Sequence, residues 1–133
     1  MIRNTVAAFL ALTIAAVSVL AQESAAGMWR VEFVTPQGQV GVNMTINQAG
    51  NRLTGQVTDE YGEFPIDGRL ADQQVTIVWS VPEDGKLLEI TMKGKLDGNM
   101  ITGTVRLGNI GEGPLTARRV GDAGDAGDAG VRY

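Results

Sequence analysis

From Gly27 onward, apolar and polar residues alternate with a period of two. In "WRVEFVT", Trp29, Val31 and Phe33 are separated by Arg30 and Glu32. "QVGVNMTINQ" then places Val40, Val42, Met44 and Ile46 on one face and Gly41, Asn43, Thr45 and Asn47 on the other. The same phase carries Leu53 and Val57; Phe64, Ile66 and Leu70; Val75, Ile77, Trp79 and Val81; Leu88, Ile90, Met92 and Leu96; Ile101, Val105 and Leu107; and finally Leu115, Ala117 and Arg119. Strict alternation of this kind is what a strand with one dry face requires, and no window after residue 27 shows a helical period. Turn formers such as Pro36-Gln37-Gly38, Gly50-Asn51 and Asp97-Gly98-Asn99 separate the runs. Connections this short make consecutive strands antiparallel neighbours. The pattern therefore predicts an all-β chain of about eight strands in an up-and-down meander. An open sheet would leave two unpaired edges and a bare apolar face, so the meander is expected to close into a barrel.

The chain also echoes itself. "GNRLTGQV" at 50–57 returns as "GNMITGTV" at 98–105, a spacing of 48 residues (98 − 50), and "GEFPIDGR" at 62–69 returns as "GEGPLTAR" at 111–118. This suggests two four-stranded repeats. Four glycines, Gly55, Gly68, Gly94 and Gly103, fall on the inward phase. A glycine there either lets two backbones approach at a coiled strand or leaves a hole. The turn at 97–99 allows two registers, facing Gly94 toward Ile101 or toward Gly103, and only the second opens space at that end of the barrel.

The termini and the composition change the picture in three ways. Residues 1–21, with Arg3 ahead of the apolar run Val6 to Leu20 and a small-residue exit at Ala21, read as a cleaved secretory signal peptide. Residues 22–120 form the barrel domain. Residues 121–133, with threefold Gly-Asp-Ala, have nothing apolar to bury and are expected to be a solvated tail. Without Arg3, ten Lys and Arg face fifteen Asp and Glu, a net charge of −5. That balance argues against nucleic acid and anionic membrane as partners. The chain has no cysteine and no histidine, which removes disulfides, nucleophile–histidine pairs and the commonest zinc ligand. No catalytic residue, metal ligand or cofactor is expected, because every acid falls in a turn or on the polar phase.

The inward face is apolar apart from Arg119. A ligand would have to be a small apolar molecule held by Phe33, Met44, Phe64, Ile66, Trp79 and Met92. Eight-stranded barrels sit at the size where side chains either fill the interior or leave room for one small molecule. A membrane-spanning barrel also alternates, but short strands, short connections and missing aromatic girdles speak against it.

Gly27-Met28-Trp29 at the first strand and Arg118-Arg119 at the last resemble the pattern of calycins: lipocalins, fatty-acid-binding proteins and avidins. The first two groups lay an arginine from the final strand across the tryptophan of a Gly-x-Trp. The resemblance implies a structural lid made of Gly27, Trp29 and Arg119, with Arg119 chosen over Arg118 by phase. The motifs Gly27/Trp29, Pro36/Gly38, Gln48/Gly50/Leu53/Gly55 and Ala117/Arg119 also resemble small uncharacterised β domains of secreted bacterial proteins, found alone or appended to hydrolases. That likeness implies fold and not activity. The expectation is an exported, monomeric, non-enzymatic barrel that takes a small apolar molecule in its interior. An interaction module with a filled core, a cyclase-like barrel enzyme and a small outer-membrane barrel remain as rivals.

Overall fold

A computed structural model of the protein describes residues 24–121. The strands are β1 (Gly27–Thr35), β2 (Gly38–Ala49), β3 (Arg52–Asp59), β4 (Gly62–Ala71), β5 (Gln74–Glu83), β6 (Lys86–Asp97), β7 (Met100–Leu107) and β8 (Gly111–Gly121). Each pairs antiparallel with the next, and β8 pairs with β1, so the meander closes into a barrel. The expected signal peptide, and the Gly-Asp-Ala tail beyond Gly121, lie outside the described residues.

Two strands reach 12 residues and the shortest have 8. They are thus longer than the sequence pattern suggests, because pairing continues into segments that read as turns. Pro82↔Leu87 and Glu83↔Lys86, for example, extend the β5–β6 ladder to the tip of its hairpin. Strand length is therefore no argument against a membrane barrel. The direction of the faces bears on that question instead. The apolar phase points inward and forms one continuous core, while Arg30, Glu32, Lys93 and Lys95 point outward and are exposed.

The inward glycines serve close approach and do not leave holes. The register at the 97–99 turn is the one that faces Gly94 toward Gly103, yet no space opens there. A Cβ on Gly103 would stand 1.9 Å from the Lys93 carbonyl oxygen and 2.5 Å from the Gly94 Cα. A Cβ on Gly55 would stand 1.9 Å from the Thr45 carbonyl oxygen, and one on Gly68 2.4 Å from that of Thr76. The strands cross so tightly that a neighbouring backbone occupies the volume a side chain would need. This is the behaviour of a strongly coiled, narrow barrel.

The two ends of the barrel differ. At the end holding the β2–β3, β4–β5 and β6–β7 turns, Ile46, Leu53, Leu70, Leu96 and Ile101 are all fully buried. Each turn there also accepts a hydrogen bond from the tip of a neighbouring strand. The Asn51 carbonyl takes Leu70 N–H, Gln73 takes Leu96 N–H, and Asn99 takes Arg119 N–H, each at 2.8 Å. The turns thus lean inward and satisfy backbone donors that would otherwise be left at the rim. This end is the floor. At the opposite end, which is the mouth, two seams stop short. β4 and β5 pair only from Asp67↔Val78 to Ala71↔Gln74, and β8 leaves β1 after Phe33↔Leu115. Pro65 and Pro114 stand just beyond these limits, and a proline has no N–H to give to a ladder.

Close backbone approach predicts that Gly103→Ala cannot be absorbed by a side-chain shift. Urea unfolding should show a loss of about 2–3 kcal/mol or more. A loss below about 0.5 kcal/mol would mean that the β6–β7 crossing has room for a Cβ at Gly103.

Candidate functional site

The floor is closed by the Trp29–Arg119 pair. Trp29 is buried, and the Arg119 guanidinium carbon lies 4.7 Å from the centre of its ring. Arg118, one residue earlier, is exposed. Phase explains the difference, since Arg119 shares the inward face with Leu115 and Ala117. Gly27 makes room for the arginine stem: a Cβ there would meet the Gly121 carbonyl at 2.8 Å and the Arg119 Cδ at 3.3 Å, and its φ of +140° is one that glycine tolerates. A bulge in β8 helps to place the group. Trp29 pairs with Arg119 but Met28 pairs with Gly121, leaving Val120 extra and exposed.

The segment before β1 completes this end. Trp29 Nε1 donates to the Ala25 carbonyl at 2.9 Å, and the Arg119 guanidinium donates to the Ser24 carbonyl. The Gln48 side-chain oxygen accepts the Ala25 N–H at 2.8 Å, while its amide donates to the Gly50 carbonyl at 2.9 Å. The Arg119 Nε is buried without a hydrogen-bond partner among the described residues. The stacked geometry is thus kept at the expense of one donor. The Gly-x-Trp and Gln48/Gly50 motifs meet here in one structural task. Inside the barrel at this end, Ile46, Leu53, Leu70, Leu96 and Ile101 are fully buried.

At the mouth, a cavity of about 300 Å³ lies between the upper strands. Its wall includes Phe33, Phe64, Trp79, Val81, Leu88 and Leu107. Of the residues singled out from the sequence, Phe33, Phe64 and Trp79 therefore border the cavity. Met44, Ile66 and Met92 do not border it and lie in the packed interior. Phase alone could not separate the two groups, because height along the barrel depends on strand stagger. Val81, Leu88 and Leu107 share the inward phase, and only their position near hairpin tips marks them as rim residues.

The rim itself is mixed. Tyr61 and Ile110 at two hairpin tips border the cavity and are exposed, Tyr61 at 80%. Asp59, Glu60 and Glu83 line the same opening, and no lysine or arginine does. Asp59 Oδ1 accepts the Tyr61 N–H at 2.7 Å, which fixes the β3–β4 turn. A hydrogen bond to the Glu60 carboxylate, with the added charges of Glu60, Asp59 and Glu83, pushes the Tyr61 phenol above its ordinary value. No charged or polar residue among those described is buried.

No protein-family model matches this chain, and no curated protein does either. Geometry alone carries the likeness. The eight-stranded antiparallel closed barrel is consistent with a small calycin-like barrel.

The floor contacts predict that Trp29→Ala lowers stability by about 3–5 kcal/mol, as deletion of a buried aromatic does. Arg119→Ala should cost about 1–2 kcal/mol. Because the two groups touch, the double variant should cost less than the sum of the singles, by about 1 kcal/mol. Chemical melts of the four proteins measure this. Additive effects would mean that the stack contributes nothing.

Proposed function

We propose that the protein is an exported, non-enzymatic binding barrel of calycin type that takes a small apolar molecule at its mouth. The observation that carries this reading is the apolar cavity of about 300 Å³ above a filled, plugged interior. That volume is at the lower end of the range of small-molecule sites, so the occupant is compact or leaves part of itself in water. The calycin assignment is supported by Gly27, Trp29 and Arg119 meeting in one plug. The absence of catalysis is inferred from the chemistry of the cavity wall. Its aromatic and aliphatic groups can exclude water and shape a ligand, whereas its carboxylates stand at the rim, with no buried polar or charged side chain among the described residues to serve as a base or nucleophile beside them.

Two observations bear on the rival readings. Outward Arg30, Lys93 and Lys95 favour a barrel in water, since a cation on a lipid-facing strand costs about 2–4 kcal/mol near the bilayer centre. Exposed Tyr61, Leu87 and Ile110 favour an interaction module that docks a partner protein at the rim.

A neutral apolar fluorophore, N-phenyl-1-naphthylamine, tests the binding reading. Its emission should rise saturably with the purified protein, and Leu88→Trp, which fills the cavity, should weaken its binding at least about tenfold. If the unmodified protein takes up no probe, or if Leu88→Trp binds it equally well, the cavity is not a binding site.

A further inference from the structure

We infer that the molecule bound at the mouth is a cationic amphiphile: an apolar body seated in the cavity, with an amine or quaternary ammonium head left at the rim. The inference rests on the binding reading above and adds the chemical class of the ligand. It follows from the way charge is distributed around a single opening. The apolar wall supplied by Phe33, Phe64, Trp79 and Leu88 can hold a hydrocarbon or ring body but gives no polar anchor. The polar part of a ligand must therefore stay at the edge, where Asp59, Glu60 and Glu83 stand on one side.

These carboxylates come from two separate parts of the chain, the β3–β4 hairpin tip and the end of β5, and border the same opening as Tyr61. Among the described residues the ion pair formed is Arg52–Asp67, well down the outer wall; Lys86 stands opposite Glu83 in the β5–β6 ladder but forms no salt bridge with it, so none of the three rim acids is neutralised by one. The cation that faces the interior, Arg119, is stacked on Trp29 at the opposite end. An anionic amphiphile such as a fatty carboxylate would thus meet three like charges at the mouth and no partner below. A cation would gain attraction from Glu60 and Glu83, and the exposed Tyr61 ring adds a face on which an ammonium can rest. Asp59 contributes charge while its Oδ1 stays engaged with the turn.

Competition among three ligands with one tail tests the class. The protein is loaded with N-phenyl-1-naphthylamine and titrated with decyltrimethylammonium, decanol or decanoate at low salt, below micelle formation. The cation should displace the probe at a concentration about fivefold lower than the alcohol, and decanoate should be weakest. The order should narrow at high salt, because rim charges are screened within about 10 Å already at 0.1 M. In the Glu60→Gln/Glu83→Gln protein the ratio of cation to alcohol should fall toward one. If alcohol or carboxylate displaces best, or if the cation's advantage survives in the double variant, the cationic class is wrong while the cavity reading stands. If no probe is taken up at all, both fall together.

Discussion

The seam between β1 and β8 is the constraint on which the rest of the molecule depends. An eight-stranded meander has two free edges and one oily face, and pairing the first strand with the last removes all three exposures at once. Closure also fixes which residues can touch. The Trp29–Arg119 stack joins the two strands of that seam, so the contact that plugs the barrel is also the one that holds the ring shut. Closing eight strands tightly demands steep crossings, and these demand backbone contact where a Cβ would intrude. Gly55, Gly68 and Gly103 are therefore part of the closure, each placed against a neighbour's carbonyl.

The contrast between floor and mouth follows from backbone hydrogen bonding. At the floor the turn carbonyls of Asn51, Gln73 and Asn99 reach over to the strand tips, and the Gln48 side chain does the same for the segment before β1. The ends are drawn together and the side chains beneath them pack without gaps. At the mouth the β4–β5 and β8–β1 ladders end early, near two prolines that cannot donate. The cavity lies at this end, where Phe64 and Trp79 stand beyond the last β4–β5 pair.

Strand number, antiparallel order, closure and the inward choice of Arg119 over Arg118 were legible in the sequence, because each depends only on a period of two and on short connections. The seat of the cavity was not. Met44 and Met92 share their phase with Phe33 and Trp79, and what separates core from mouth is stagger between strands, which leaves no mark on the alternation. The inward glycines were ambiguous for a related reason. A missing side chain looks the same in sequence whether the space is empty or filled by another strand's backbone. Strand ends were underestimated where residues typical of turns, such as Pro82 and Glu83, still pair with Leu87 and Lys86.

The sequence echo points to where the two halves of the ring part company. With the 48- to 49-residue spacing, Trp29 falls on Ile77 and Arg119 on Leu70, both plain core aliphatics, so only one half carries the plug. At the mouth Phe64 falls on Gly113. On the Gly113 side the missing side chain lets the Val34 carbonyl come so close that a Cβ would lie 2.3 Å from it, and the wall is sealed by backbone. On the Phe64 side an aromatic ring stands beside the upper part of β5, which β4 leaves without a partner on that side, and the acidic hairpin tip of Asp59, Glu60 and Tyr61 borders the same cavity. The corresponding tip of the other half reads Gly108-Asn109-Ile110 and carries no charge. The features shared by both halves build the barrel, and those found in only one put an aromatic ring, Phe64, and the negative charge of the opening on the β3–β5 side of the mouth.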